Sequence, residues 1–565
     1  MHGVKRIVVV IFLAGNSLIG RATEPGTTFE EGFSSRFAAS NQITDWGVLT
    51  NYSEKEESTA KKGAESEPAK PSDKKDSKPS SDKTLSEEDV QKIIKNYLKE
   101  QEEKKSEADK VKAAEAKAAG YQMGSDLAMT AAWNNGLEIS TKNKDFRVHV
   151  GGRYQMDTGY FSVDRSVENN PLTGAANINT PYADGVDFRR ACFRIDGTMY
   201  EVIDWAAEMD FVNSFTARNA NNTGVTENST VALTDFWWQV REVPLFGSVR
   251  VGQQKEPIGF EHLVSSRFLP FMERSFNQDT FYGGTFNGFN PGISSFRNWG
   301  QDDTGSIQYG IYKPVSNVFG YNVGDGDYSL TMRITKLLWY VDEGRGLLHV
   351  GLSGRQASAV STAGAVGDQQ VFRTRDAIRT GLSQNWSVPA GVTLYGEDMQ
   401  WVNGELVAVY DRWTFQSEYL VSNMNDASVS PTGAPMGDAV YHGGYVQMLC
   451  FLTGEHDNYD KSRSTFDRVK PIENFFVARS ARGATLSGSG AWQVGARYNF
   501  LDLNDSGLNG GILHNFTGGL NWFLNPNMKA QLNYIATYRD VSDVTNFSTG
   551  SGWINGFGGR IACDF

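Results

Sequence analysis

The chain has 565 residues and a formal net charge of −12, which excludes an ordinary nucleic-acid binder, since such proteins are normally basic. Its three cysteines, Cys192, Cys450 and Cys563, are odd in number and far apart, so they form no disulfide framework and no CxxC metal knuckle. Glycine at 59 residues together with 12% aromatic residues suits many strands joined by tight turns.

The first 22 residues, MHGVKRIVVVIFLAGNSLIGRA, carry Lys5 and Arg6, an apolar run from Ile7 to Gly15, then the small residues Gly20 and Ala22. This layout predicts a secretory signal over 1–22. No other window approaches 18 apolar residues, so no membrane-spanning helix is expected. An exported chain of this kind is either soluble or a β-barrel. Residues 23–84 read as a disordered linker, because from Asn51 on the Lys, Glu, Ser and Pro that dominate leave little apolar surface to bury. A helix is predicted over 85–119. Ser86 with Asp89 three residues on resembles a capping box, and Val90, Ile93, Ile94, Tyr97 and Leu98 share one stripe. It fits a short coiled coil or a solvated spacer, and the pattern leaves both open. Residues 120–144 connect it to the rest of the chain.

From 145 to 565 the pattern has period two. In DFRVHVGGRYQMDTGYF, one phase carries Phe146, Val148, Val150, Tyr154 and Met156, the other Arg147, His149, Arg153, Gln155 and Asp157. Such alternation puts one face in an apolar medium and the other in water. DFRRACFRIDGTMY, WAAEMDFVNS, DFWWQVR and four stretches near the end repeat it. The last strand holds Phe557, Gly559, Ile561, Cys563 and Phe565 in one phase and stops on the aromatic. The fold class is therefore all-β: a transmembrane antiparallel barrel behind a charged, disordered and helical periplasmic segment. Phe565 is read as a membrane-insertion signal.

One stretch breaks the pattern. GQQKEPIGFEHLVSSRFLPFMERS, Gly252 to Ser275, begins as a strand and loses alternation at Lys255-Glu256-Pro257. It packs three acids and three basic residues among Phe260, Leu263, Phe268 and Phe271. A loop folded into the lumen accounts for this: the rings dock on the wall while Lys255, Ser265, Ser266 and Arg267 face the opening. An external cap is the alternative. Arginines recur in the polar phases of the early strands: Arg147, Arg153, Arg190, Arg194, Arg241 and Arg250. Later strands add Arg333, Arg355, Arg497 and Arg560. Staggered guanidinium groups suit phosphate or carboxylate oxygens and could pass an anion along a lumen. Against this, Asp157, Asp196, Glu208 and Asp210 share those faces, and the chain after Gly120 is itself net acidic.

These stretches resemble the phosphate-selective porin O/P family. The resemblance rests on FRVHVGGRYQMDTGYF, FRRACFRIDGTMYEVIDWAAEMDF, VRVGQQKEPIGFEHLVSSRFLPFMERS, FLTGEHDNY, GAWQVGARYNFLDLND and GGRIACDF. It implies an outer-membrane barrel of about 16 strands, assembled as a homotrimer, with an inward loop and an arginine ladder. By resemblance, the constriction falls at Lys255, Ser265, Ser266 and Arg267, and the ladder at the inward arginines of the early strands. The partners it implies are small inorganic anions and outer-membrane lipid, with no cofactor, no metal and no nucleic acid. The long charged N-terminal zone departs from the family pattern.

Other functions leave weaker marks. A structural barrel anchoring the helical segment to the cell wall is the main alternative to a diffusion channel. A hydrolase would need a nucleophile beside a base, and His149 and His349 are lone polar-phase histidines. Asp502-Leu-Asn504-Asp-Ser506-Gly507 resembles the start of a calcium loop but lacks the closing Glu, so it reads as a polar turn. GFNPGIS, Gly288 to Ser294, has no Lys and no following helix to hold a nucleotide.

Overall fold

The computed structural model describes residues 122–565 apart from 169–181, 183, 213–230, 283–287, 315–319, 325, 359, 362–367, 380–391, 397, 431–432, 476–477, 480–484, 506 and 542–549. The expected signal sequence 1–22, linker 23–84 and helical segment 85–119 lie outside the described residues. Within the expected connecting stretch, Met129–Trp133 (β1) and Leu137–Thr141 (β2) form an antiparallel hairpin, and β2 pairs with the start of the next strand.

Sixteen strands follow: β3 Phe146–Val163, β4 Gly185–Met199, β5 Ile203–Asp210, β6 Ala232–Val243, β7 Gly247–Lys255 and β8 Phe289–Trp299. Next come β9 Gly305–Tyr312, β10 Ser329–Val341, β11 Gly346–Ser358, β12 Asp398–Tyr410 and β13 Trp413–Met424. The last are β14 Ala439–Phe451, β15 Ala491–Asp505, β16 Leu508–Asn525, β17 Met528–Asp540 and β18 Gly552–Asp564. Each pairs antiparallel with its neighbour in sequence, and β18 returns to β3 from Ile554↔Val163 to Asp564↔Arg153. The ring is closed, as a sheet in lipid must be, because an open edge would leave backbone groups without partners.

Burial runs opposite to that of a soluble sandwich. On β3, Tyr154, Met156 and Tyr160 are exposed while Gln155 and Asp157 are buried. Phe188, Phe193, Phe236 and Trp238 continue the exposed apolar face; Arg333, Asn499, Gln531 and Arg560 continue the buried polar one. Alternation has therefore placed apolar side chains on the outside and polar ones within, the arrangement of a membrane barrel.

One end of the ring has tight turns. In the β4–β5 turn, Tyr200 and Glu201 both have positive φ, within the three residues that join the paired Met199 and Ile203. The other end has long segments, and 256–288, between β7 and β8, holds most of the interruption read in the sequence from Gly252 to Ser275. Two connections break this rule. Residues 452–490 form a long insertion at the short-turn end, while β15 and β16 are joined tightly at the long-loop end. At that tight connection Asn504 N–H donates to Asp502 and Gly511 N–H donates to Asn504, the polar turn expected there.

Candidate functional site

After Lys255 the chain leaves the sheet and crosses the interior. Gly259, at φ 69°, turns it into a single helical turn, Phe260–Leu263. The N–H groups of Phe260 and Glu261 donate to the two carboxylate oxygens of Glu418 on β13, at 2.6 and 2.9 Å. A Cβ at position 259 would lie 2.6 Å from Glu418 Oε1, so this approach requires glycine.

Three acids of the loop each meet wall arginines. Glu256 accepts from Arg355 on β11 at 2.8 and 3.2 Å, with Asn290, Ser329 and Thr331 completing its shell. Glu261 accepts from Arg497 on β15 at 2.6 Å. Glu273 accepts from Arg189 and Arg190 on β4 and from Arg560 on β18, with Arg379 Nη1 at 3.7 Å. The loop backbone is held too: Leu269 O accepts from Lys529 and Gln531, Pro270 O from Asn521, and Ser266 O from Gln155. These donors lie on β3, β16 and β17, far around the ring from β7. The segment is thus an inward loop and not an external cap. Burial alone would raise the Glu273 carboxyl, but Arg189, Arg190, Arg379 and Arg560 together hold it well below the usual carboxylate range.

Two further segments enter the lumen. From the short-turn end, 452–475 rises until Tyr459 and Phe466 pack around Phe260, with ring centroids 6.4 and 5.0 Å away. His349 Nδ1 lies 2.9 Å from Tyr459 Oη, Arg333 donates to Ser464 O, and Asp457 accepts from Thr414 at 2.7 Å. From the long-loop end, Arg375 and Arg379 reach Asp279, while Thr537 donates to Asp376. Of the stretch FLTGEHDNY, Tyr459 packs on the loop, together with Phe466 beyond it.

Burial lifts the Asp457 carboxyl to about 6, against the lowering pull of Thr414 and Gln493. Because the folded value exceeds the unfolded one, its contribution is fully present below about pH 4 and is lost as pH rises through about 6. Asp457→Asn is expected to abolish this part of the pH dependence and to stabilise the barrel at pH 7.5 by roughly 2–3 kcal/mol. Thermal unfolding in detergent at pH 5 and 7.5 checks it. A variant with the wild-type pH dependence would contradict the assignment.

Of the four residues expected at the constriction, Arg267 Nη2 lies 3.9 Å from Glu208 and its Nε 3.7 Å from Asp564. Its backbone N–H reaches Ser265 Oγ at 3.4 Å. Ser266 is buried, and its hydroxyl has no partner among the described residues. Lys255 is half-buried and donates to His262 O at 2.6 Å. The ladder residues all point inward, yet most sit on acids. Arg147 pairs with Asp196, Arg153 with Glu208, Arg194 with Asp196 and Asp235, and Arg241 with Asp204. Arg190 reaches Gln155 and Glu273. Arg250 holds Gln239 and stacks 3.8 Å over Trp237, with no carboxylate within 4 Å among the described residues. Arg333, Arg355, Arg497 and Arg560 are buried anchors of the inserted segments and not steps of a ladder.

Phe565 lies against a glycine notch. Its N–H and C=O pair with Gly152, and a Cβ at Gly151 would stand 2.4 Å from its oxygen.

Alternation counts only one inward arginine at Arg189-Arg190. The register shifts between Gln155 and Met156 on β3, a bulge that lets both point at Glu273. Arg375 and Arg379, in a segment with no strand period, were also missed; the repeated arginines of RTRDAIR were the available signal.

One asymmetry organises the charges. Arg189 is 21% exposed against 3% for Glu273, Arg375 33% against 6% for Asp279, and Arg267 19% against 4% for Glu208. Asp235 against Arg194, and Glu261 against the fully buried Arg497, run the other way. At Glu208, Glu273 and Asp279 a guanidinium meets water and the acid lies behind it.

A closed ring, apolar outside and polar within, with a charged loop across the lumen, defines a channel-forming barrel. Residues 148–547 match the family described as phosphate-selective porin O and P, and the chain belongs to it. It is an outer-membrane porin, a channel and not an enzyme. Porin O of Pseudomonas aeruginosa is 23% identical over 467 residues, covering 76% of this chain and 92% of its own length. An anion-selective porin from Comamonas acidovorans, 11% identical, aligns over 74% of this chain and 100% of its own with a TM-score of 0.42. OprB of Pseudomonas putida, 10% identical, aligns over 75% and 95% with a TM-score of 0.42.

Proposed function

We propose that the channel passes small inorganic anions, phosphate among them, by diffusion past Lys255, Ser265, Ser266 and Arg267. The observation that carries this reading is the exposure asymmetry. A chain with net negative charge still presents guanidinium groups to the lumen, because Glu208, Glu273 and Asp279 are buried behind them. Exposed guanidinium groups donate in pairs to an oxyanion without a change in protonation. The solute moves between shallow sites, with no bond made or broken. The family description supports phosphate as one of the solutes. On this reading Arg147, Arg153, Arg190, Arg194, Arg241 and Arg250 set the field of the approach, and the assembly is a homotrimer in outer-membrane lipid. Phe565 serves as the insertion signal. After loss of residues 1–22, residues 23–119 lie in the periplasm.

Phosphate titrated into chloride-bathed single channels is expected to reduce the chloride current, and Arg267→Glu or Lys255→Glu to shift the reversal potential toward cations. Unchanged anion/cation permeability in both single variants would remove these two residues from the selectivity site.

A second reading draws on the three segments that enter the lumen: a plugged barrel anchoring the N-terminal segment. Steady single-channel steps in a planar bilayer would exclude it.

A further inference from the structure

The lipid-facing side of β13 to β18 carries polar groups that a diffusion channel does not need. At the short-turn end its edge is an aromatic girdle, where Trp492 and Trp522 stand opposite in register and stack at 5.0 Å. Asp502 lies ten residues up β15 from Trp492, in the same outward phase. At a strand tilt of roughly 40° that is about 25 Å along the barrel axis, the height of the apolar band. Asp502 therefore stands at the headgroup level of the long-loop end.

The girdle at this level is not purely aromatic. A row runs through Tyr419, His442, Phe500, His514, Tyr538 and Trp553, one residue from each of six neighbouring strands. Phe500 lies between the two histidines, with ring centroids 5.6 and 5.4 Å away, and Tyr538 stands opposite His514 in register. Each histidine is tied to a tyrosine. Tyr419 Oη is 2.8 Å from His442 Nδ1, and Gly444 leaves room for that ring, since a Cβ there would lie 2.6 Å from it. Tyr498 Oη is 2.8 Å from His514 Nδ1. With the tyrosine hydroxyl donating to Nδ1, the ring hydrogen sits on Nε2, and His514 Nε2 makes no hydrogen bond among the described residues. Asp502 accepts at Oδ1 from Asn504 N–H, and its partly exposed Oδ2 lies 3.8 Å from His442 Nε2. Asp502 pairs with Ile512, so His514 is its diagonal neighbour, at roughly 7–8 Å between Cα atoms. A donor and a carboxylate this far apart, at headgroup level, match a headgroup that carries both charges. A purely anionic one would be repelled by Asp502.

We infer that Asp502 and His514 form a site for the headgroup of a zwitterionic aminophospholipid, with its ammonium on the Asp502 carboxylate and its phosphate on His514 Nε2–H. Tyr498 and His442 are positioning residues: Tyr498 fixes the His514 ring, and His442, held by Tyr419, stands beside Asp502. The site lies outside the lumen and holds whichever solute the channel passes.

The test is lipid binding to the purified chain in maltoside detergent, followed by native mass spectrometry. Phosphatidylethanolamine should half-saturate the wild type at a concentration about tenfold below that of phosphatidylglycerol, which lacks the ammonium. Asp502→Asn should bring the two lipids to the same value by weakening phosphatidylethanolamine about tenfold, and His514→Phe should weaken it by a similar factor. Both variants should keep the wild-type conductance and reversal potential. If Asp502→Asn fails to fold, His514→Phe decides alone, since it puts an ordinary girdle residue in place. Equal binding of the two lipids by the wild type, or an unchanged preference in the folded variants, would overturn the site. Soluble phosphoethanolamine binding as tightly as the lipid would make it a solute site, and a changed oligomeric state in the variants would make it a protomer contact. Either result overturns the inference and leaves the proposed function standing.

Discussion

Glu273→Gln should destabilise the barrel by about 3–5 kcal/mol, the usual penalty for removing one partner of a buried ion cluster. The site makes the loss unusually concentrated. Arg189, Arg190, Arg379 and Arg560 converge on this one carboxylate, and Gln offers them a single neutral oxygen. Asp157 keeps Arg560 by a bidentate pair and Asp279 keeps Arg379, so Arg189 and Arg190 are the two left without a carboxylate. Repulsion then acts between β4 and the loop, and the centre of the loop should lift from the wall. Two measurements report it: a lower thermal midpoint in detergent, and a larger single-channel conductance with weaker selectivity. The pH dependence follows from the lowered carboxyl. The stabilisation is present above the unfolded value near 4.3 and is lost only as pH falls through the lower folded value, so the wild type should resist acid well below pH 4. A variant with wild-type midpoint and conductance would show that the loop is held by its aromatic packing alone.

The second large effect concerns charge at the approach from the long-loop end. Arg189→Glu combined with Arg375→Glu exchanges the two guanidinium groups that stand in front of Glu273 and Asp279 for carboxylates. Each unit charge at about 4 Å is worth about 1 kcal/mol in water. Reversing one charge therefore changes the local preference by about 2 kcal/mol, and the anion/cation permeability ratio should fall at least tenfold. The shift should shrink in 1 M salt, where the Debye length is about 3 Å. A permeability ratio that does not move would mean that ions bypass these residues.

Much of the barrel was legible in the sequence because the period of two is a local property and lipid enforces it at every strand. The interrupted segment was legible for the same reason, since Lys255-Glu256-Pro257 ends the alternation. What the pattern could not give was pairing across the lumen. Glu261 meets Arg497 and Glu273 meets Arg560 across more than two hundred residues, and such contacts carry no periodic signal. The arginines of the later strands therefore looked like lining when they are anchors. Arg189 was hidden by a bulge, which shifts phase without changing composition. The insertion from the short-turn end was hidden by the rule that turns and long segments alternate; 452–490 breaks it, and its grip on Phe260 depends on two rings, Tyr459 and Phe466.

Anion selectivity here requires that Glu208, Glu273 and Asp279 stay shielded while Arg267, Arg189 and Arg375 face water. The reversal potential of the wild-type channel in a KCl gradient tests that most directly. Chloride should outrun potassium, giving a reversal potential on the anion side of zero that moves toward zero as salt rises. A potential on the cation side would mean that the carboxylates govern the path, and the ordering of charges along the loop would not be what sets selectivity.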